Sequence, residues 1–247
     1  MPDRVVTFDF HNTIASADSW FEIEVRDLPG AFLRWRAEKD GDVADPELVL
    51  EANATYRLLR GAIHRHGHEL TAEDCLDIVL RRLGYFEPGS IIDEGTEAIM
   101  RASLSDISPI PGVVESIETL TDAGITLGIV SSAVHHPFLI WTLESFGVKD
   151  RFTAVTTSAS AGFYKTRPEI YWNVLDQLDA SPEASFHIGD SYQFDVIGGR
   201  RAGMQTGWYQ RPGAQPPADT GAPDMVFASL VGAGTAVLER FNLTPQE

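Results

Sequence analysis

Short apolar runs, each followed by a stretch of helical periodicity, constrain this chain more than any other feature. The runs are VVTFDF (5–10), ITLGIVSS (125–132), FTAVTTS (152–158), SFHIGDS (185–191) and QTGWY (205–209). A further strand-like piece, MVFASL, follows the Pro- and Gly-rich loop QRPGAQPPADTGAPD (210–224). The stretches between them are amphipathic. PGVVESIETLTDAG carries Val113, Ile117 and Leu120 and ends in Gly124. HPFLIWTLESFG places Pro137 at the first helical position and stops at Gly147. RPEIYWNVLDQL opens on Pro168 and continues with Ile170, Val174 and Leu178. Proline fits where the first helical N–H has no partner anyway, and glycine fits where the chain must turn left-handed. Strand–helix alternation of this kind predicts an α/β fold, a Rossmann-like parallel sheet flanked by helices.

Residues 15–106 break the rhythm. Leu48, Ala52, Tyr56 and Leu59 share one helical face. Thr71-x-x-Asp74 is a capping-box variant that opens a second helix with Leu76, Val79, Leu80 and Leu83 inside it. The predicted organisation is a core of residues 1–14 and 107–247 with an α-helical cap domain, residues 15–106, inserted after the first strand. An insert at that point sits over the C-terminal edge of the sheet, where open α/β folds bind ligands.

The formal net charge of −17 sets the chain against nucleic acid and anionic membranes, so a phosphate-bearing ligand must meet locally placed cations. The single cysteine, Cys75, allows no intrachain disulfide. No run reaches the roughly 18–20 apolar residues of a membrane helix, and MPDRVVTFDF lacks an apolar signal core. These features predict a soluble, cytoplasmic protein and leave monomer or homodimer open.

The polar residues expected at the strand ends define the chemistry. The first strand brings Asp9 and His11, the second Ser131 and Ser132, and the fourth Asp190, with Ser191 and Asp195 beyond it. Lys165 lies between the third strand and the next helix. Carboxylates, one lysine and hydroxyls on one crevice describe a site for a hard cation and an anionic group. Oxygen donors suit Mg²⁺, and no Cys/His cluster suits zinc.

The order DFHNT, IVSS, Lys165 in YKTRP, and GDSYQFD resembles the four motifs of the haloacid dehalogenase-like superfamily, in the branch whose helical cap lies between the first two motifs. The resemblance implies a Mg²⁺-dependent phosphatase of a small phosphorylated metabolite. Asp9 would be the nucleophile and a metal ligand, with the His11 backbone carbonyl and Asp190 as further ligands. Asp195 would act directly or through water. Ser131 and Ser132 would bind the phosphoryl group, and Lys165 would neutralise it. Phosphoryl transfer needs positioning and charge compensation of this kind.

The chain departs from the pattern at His11. Most phosphatases of the family have a second Asp there, which acts as acid and base. The dehalogenases have Tyr and the phosphonoacetaldehyde hydrolases Ala. General acid–base catalysis contributes roughly 10²–10⁴ in rate, about 3–5 kcal/mol. Either the His11 ring takes over that role, or only its carbonyl matters and the ring packs against the cap. A dehalogenase reading conflicts with the paired Asp190 and Asp195. A phosphonatase needs a cap lysine, and Lys39 in RAEKDGD reads as a solvated helix end. A non-catalytic binding or regulatory protein conflicts with the intact Asp9, Lys165, Asp190 and Asp195.

Other residues carry plainer readings. His64, His66 and His68 form a solvated helix end, and His135 and His136 mark a helix N-terminus. His187 is a hydrogen-bonded core residue, and Trp20 and Phe21 belong to the core of the cap. Gly198, Gly199 and Gly203 allow close helix–sheet packing, and Arg200 and Arg201 lie on the surface.

Overall fold

The computed structural model describes residues 4–218 and 220–243; Asp219, in the Pro- and Gly-rich loop, lies outside the described residues. The chain begins with β1 (Val5–Phe8), whose residues are all fully buried. A turn leads to β2 (Ala15–Ser16) and then to five helices: α1 (Asp18–Glu22), α2 (Leu28–Lys39), α3 (Pro46–His66), α4 (Ala72–Arg82) and α5 (Gly89–Ala102). A π-helical turn, Ile23–Asp27, joins the first two. β3 (Ser108–Pro109) returns antiparallel to β2, pairing Ala15 with Pro109 and Ser16 with Ser108. The helical stretch therefore leaves and re-enters the sheet region side by side.

From there the alternation runs as expected. The elements are α6 (Val113–Asp122), β4 (Thr126–Ser131), α7 (His136–Ser145), β5 (Ala154–Thr157), the single turn α8 (Ser158–Ala161) and α9 (Glu169–Gln177). They continue through β6 (Ser185–Gly189), α10 (Ile197–Arg201), β7 (Gln205–Tyr209), β8 (Met225–Phe227) and α11 (Ala233–Arg240). The main sheet has the order β5-β4-β1-β6-β7-β8, parallel throughout. The chain builds outward from β1 through β4 to β5, then crosses back to β6 on the other side. The C-terminal end of β1 is thus the switch point where such sheets open a crevice.

Period-2 alternation sorts the strand side chains to two faces. Val6 and Phe8 join Leu127, Ile129, Phe186 and Ile188 in a large core with α6, α7 and α11, and that core runs on without a break into the helical stretch through Trp20, Tyr56 and Leu76. Val5 and Val130 pack on the opposite face against Ile170, Tyr171 and Val174 of α9.

Boundaries differ from expectation in informative places. The first run reads as strand to residue 10, but β1 ends at Phe8. The Phe10 carbonyl accepts from the Thr13, Ile14 and Ala15 N–H groups, so a tight turn replaces the ladder. Asn12 takes the left-handed conformation that turn requires, at φ 63°. Pro168 is not the first helical residue but the one before it. The Thr71 hydroxyl does cap α4, accepting from the Asp74 N–H at 3.1 Å.

Candidate active site

The residues expected at the strand ends do meet. Asp9, His11, Ser131, Ser132, Lys165, Asp190 and Asp195 all line one cavity of about 220 Å³ at the C-terminal edge of the sheet. Asp9 follows β1, with its N–H donating to the Ile188 carbonyl at 2.8 Å. Ser131 closes β4, and Asp190 follows β6. Lys165 arrives from the segment between α8 and α9, fixed by its N–H donating to Ser132 Oγ at 3.2 Å.

The ammonium of Lys165 is the centre of a buried network. Its Nζ donates to Asp9 Oδ1 at 2.5 Å and to Asp195 Oδ1 at 2.7 Å. The other oxygen of Asp195 accepts from the Ser191 N–H at 2.8 Å. His187 Nε2 lies 3.1 Å from Asp195 Oδ1, and its Nδ1 lies 2.8 Å from Thr7 Oγ1. His187 is the hydrogen-bonded core residue expected, but its bond runs into the site. Gly189 makes the arrangement possible: a Cβ there would lie 2.6 Å from the Asp195 Cβ and closer still to its carboxyl carbon.

Carboxylate oxygens of Asp9, Asp190 and Asp195 lie within 4.8 Å of one another. Burial pushes Asp9 up to about 7. Lys165 opposes that rise, and Asp195 and Asp190 add to it. Burial and Asp195 push Asp190 to about 6, against the pull of Arg211, whose Nη1 lies 3.4 Å from its carboxylate. Burial would raise Asp195 too, but Lys165 and His187 outweigh it and hold it below the usual range. Asp9 and Asp195 thus share one buried ammonium while Asp190 pairs with Arg211, a cluster short of buried positive charge. An all-oxygen donor set of this kind fits a hard divalent cation such as Mg²⁺.

His11 is partly sheltered in the cavity wall. Its ring stacks on Phe21, centroids 4.2 Å apart and planes at 13°. Asn12 Nδ2 lies 3.3 Å from its Nδ1, and its buried Nε2 has no hydrogen-bond partner. Burial lowers its pKa to about 4; Asp18 opposes this and Arg211 adds to it.

Trp20 is the core residue expected, 1% exposed and part of the continuous core, and it also lines the cavity; Phe21 departs from expectation, lining the cavity while 40% exposed. Trp20 stacks on Phe138 of α7 at 4.7 Å and meets Phe10 edge-on. Tyr164 and Phe194 complete the aromatic wall and were not singled out in the sequence, although each immediately precedes a site residue. His64, His66 and His68 are exposed as expected, with the His64 ring against Tyr164 and Phe194. His135 and His136 line a separate cavity beside Glu73. Lys39 pairs with Glu94 and does not reach the site.

Residues 84–209 match the family described as haloacid dehalogenase-like hydrolase. The chain is 26% identical over 204 residues to a glyceraldehyde 3-phosphate phosphatase of Methanopyrus kandleri, covering 82% of each chain. It is 31% identical over 100 residues to the pyrophosphatase PpaX of Oceanobacillus iheyensis, covering 40% of this chain and 46% of the relative. Among solved structures, a 2-haloacid dehalogenase from Pseudomonas syringae superposes with a TM-score of 0.72 at 23% identity, covering 96% of this chain and 99% of the other. A phosphatase from Thermococcus onnurineus superposes with a TM-score of 0.65 at 20% identity, covering 98% and 100%.

Proposed function

This chain belongs to the haloacid dehalogenase-like hydrolases, and on that premise we propose that it hydrolyses a small phosphate monoester with Asp9 as nucleophile. The observation that carries the reading is the buried Asp9–Lys165–Asp195 network, which sets a carboxylate at the sheet edge and compensates its charge with one ammonium. Relatives named as phosphatases, found across most of the chain's length, support it.

An Asp9 oxygen attacks phosphorus, the P–O bond to the alcohol breaks with the leaving alkoxide taking a proton from water, and a second water then cleaves the aspartyl phosphate to release inorganic phosphate. Lys165 orients Asp9 and offsets its repulsion with the incoming phosphoryl group. Ser131 donates to a phosphoryl oxygen. Ser132 holds the Lys165 backbone through the bond described and lines the same wall. Asp9, Asp190 and the His11 backbone carbonyl would hold Mg²⁺. Asp195, both of whose oxygens already accept protein hydrogen bonds, would act on it through water. When bound, Mg²⁺ supplies charge neutralisation and polarises the phosphoryl oxygen.

The His11 ring, stacked on Phe21, would contribute a hydrogen bond rather than acid–base catalysis. Asn12 bonded to Nδ1 leaves the proton on Nε2, which lies 3.8 Å from Asp18 Oδ1 and would have to turn into the cavity to hydrogen-bond the leaving oxygen. The low pKa makes this a neutral imidazole at pH 7, a hydrogen-bond donor rather than an imidazolium acid. Residues 15–106 would act as the cap that closes over the site and excludes water.

Phosphate release from a panel of monoesters, with and without Mg²⁺, tests the proposal alongside Asp9→Asn. Turnover that requires Asp9 is expected; turnover retained in Asp9→Asn overturns the mechanism. A Mg²⁺-induced rise in unfolding temperature, reduced in Asp190→Asn, tests the metal ligands without turnover.

A further inference from the structure

Beside its carboxylates and Lys165, the cavity has a second, distinct kind of lining. Trp20, Phe21, Tyr164 and Phe194 contribute four aromatic rings, joined by the His11 ring. Phe21 lies flat on His11, and Tyr164 meets Phe194 edge-on at 5.6 Å. Among the described residues, Lys165 is the one cation lining the cavity, and its ammonium is taken by Asp9 and Asp195. The nearby guanidinium groups are engaged as well, Arg211 with Asp190 and Arg60 with Glu69. A second ionised group buried against this wall would lose its water and find no free cation to pair with, a costly arrangement. A volume of about 220 Å³ is also below the range of pockets that take drug-sized ligands, roughly 300–1,000 Å³.

We propose that this site selects phosphate monoesters whose alcohol is uncharged and presents one flat apolar ring, and that it rejects esters bearing a second anionic group. The proposal rests on the monoester reading above. Phe21, placed by α1 and 40% exposed, is its specificity-determining residue, with Trp20, stacked on Phe138, in the wall beside it. The aromatic faces supply contact area that a polyanionic substrate cannot use, because burying them against a charged leaving group gains nothing and strips the charge of water.

Phenyl phosphate and 4-carboxyphenyl phosphate test it, because they share a ring and differ by one carboxylate. With wild-type protein and Mg²⁺, kcat/KM for phenyl phosphate is expected to exceed that for the carboxylated ester at least tenfold. Equal or reversed values overturn the proposal. Phe21→Arg places a cation at the rim on a side chain that is 40% exposed, so the fold should tolerate it. The variant is expected to shrink the ratio at least threefold by raising kcat/KM for the carboxylated ester; an unchanged ratio counts against Phe21. Binding of both esters to Asp9→Asn, followed by tryptophan fluorescence, separates the two claims. Tighter binding of phenyl phosphate upholds the aromatic slot even if the wild type releases no phosphate, whereas equal or weaker binding overturns it.

Discussion

Glu24 offers a test of the packing that positions the aromatic wall. It lies in the π-helical turn directly after α1, is 1% exposed, and leaves Oε2 without a partner. Burial pushes its carboxyl up to about 8. Arg60 and the Val134 N–H oppose this, and Glu69 adds to it. The Tyr56 hydroxyl donates to the Glu24 backbone carbonyl, not to the carboxyl. A carboxyl that titrates near 8 when folded, against an ordinary value of 4.5, binds a proton in the folded state that the unfolded chain has released. Stability is therefore greatest below about pH 4.5, falls as pH rises towards 8, and stays reduced above it. Between pH 5 and pH 8 the loss is on the order of 3 kcal/mol, at about 1.4 kcal/mol per pH unit of full proton linkage. Glu24→Gln keeps the shape and cannot ionise, so it should escape this loss. Urea unfolding of both proteins at pH 5, 6.5 and 8 measures the effect, with other titrating groups cancelling in the difference. The variant should gain on the wild type by about 3 kcal/mol from the lowest to the highest pH. A difference that stays flat across the range would mean Glu24 is ionised inside the protein, held by Arg60, and the reasoning fails.

Gly189→Ala should force Asp195 away from Lys165, costing about 1–3 kcal/mol of stability as an overpacked site and most of kcat; wild-type unfolding and activity would refute the close approach. Lys165→Met leaves two buried carboxylates without their cation and should cost about 3–5 kcal/mol, read by urea unfolding without divalent metal. A loss under about 1 kcal/mol would show that the pair contributes little. His11→Ala should lower kcat by about 10- to 100-fold, the effect of losing one hydrogen bond to the leaving oxygen, while the Mg²⁺-induced rise in unfolding temperature persists. An unchanged kcat would leave only the backbone carbonyl with a role.

The residues legible in the sequence are those whose position follows from local pattern. Asp9, Ser131 and Asp190 sit just inside or beyond the ends of apolar runs, and parallel topology brings those ends together whatever the packing. Lys165, between the third run and the next helix, and Asp195, just beyond the fourth run, join the same cavity. The aromatic wall was harder to read. Trp20 and Phe21 have the composition of any buried helix, and only the docking of α1 against Phe138 turns them towards the cavity. Tyr164 and Phe194 gave no periodic signal, yet their place next to Lys165 and Asp195 was a usable clue. Arg211 arrives from a Pro- and Gly-rich loop whose path local sequence does not determine. The bond from His187 to Asp195 depends on the chain folding back after β6, which the absence of a Cβ at Gly189 permits.

The β2–β3 pair has a consequence for how such a protein can change. Ala15 faces Pro109 and Ser16 faces Ser108, and facing Cα atoms in an antiparallel pair are only about 4.5–5.5 Å apart. Everything between them leaves and returns through one doorway, so a different set of helices, or a tight turn, could be grafted there without re-threading the sheet. The carboxylates and Lys165 belong to the side of the doorway that stays, and Trp20 and Phe21 to the side that can be exchanged. A lineage could keep its chemistry and trade its choice of substrate in a single recombination event.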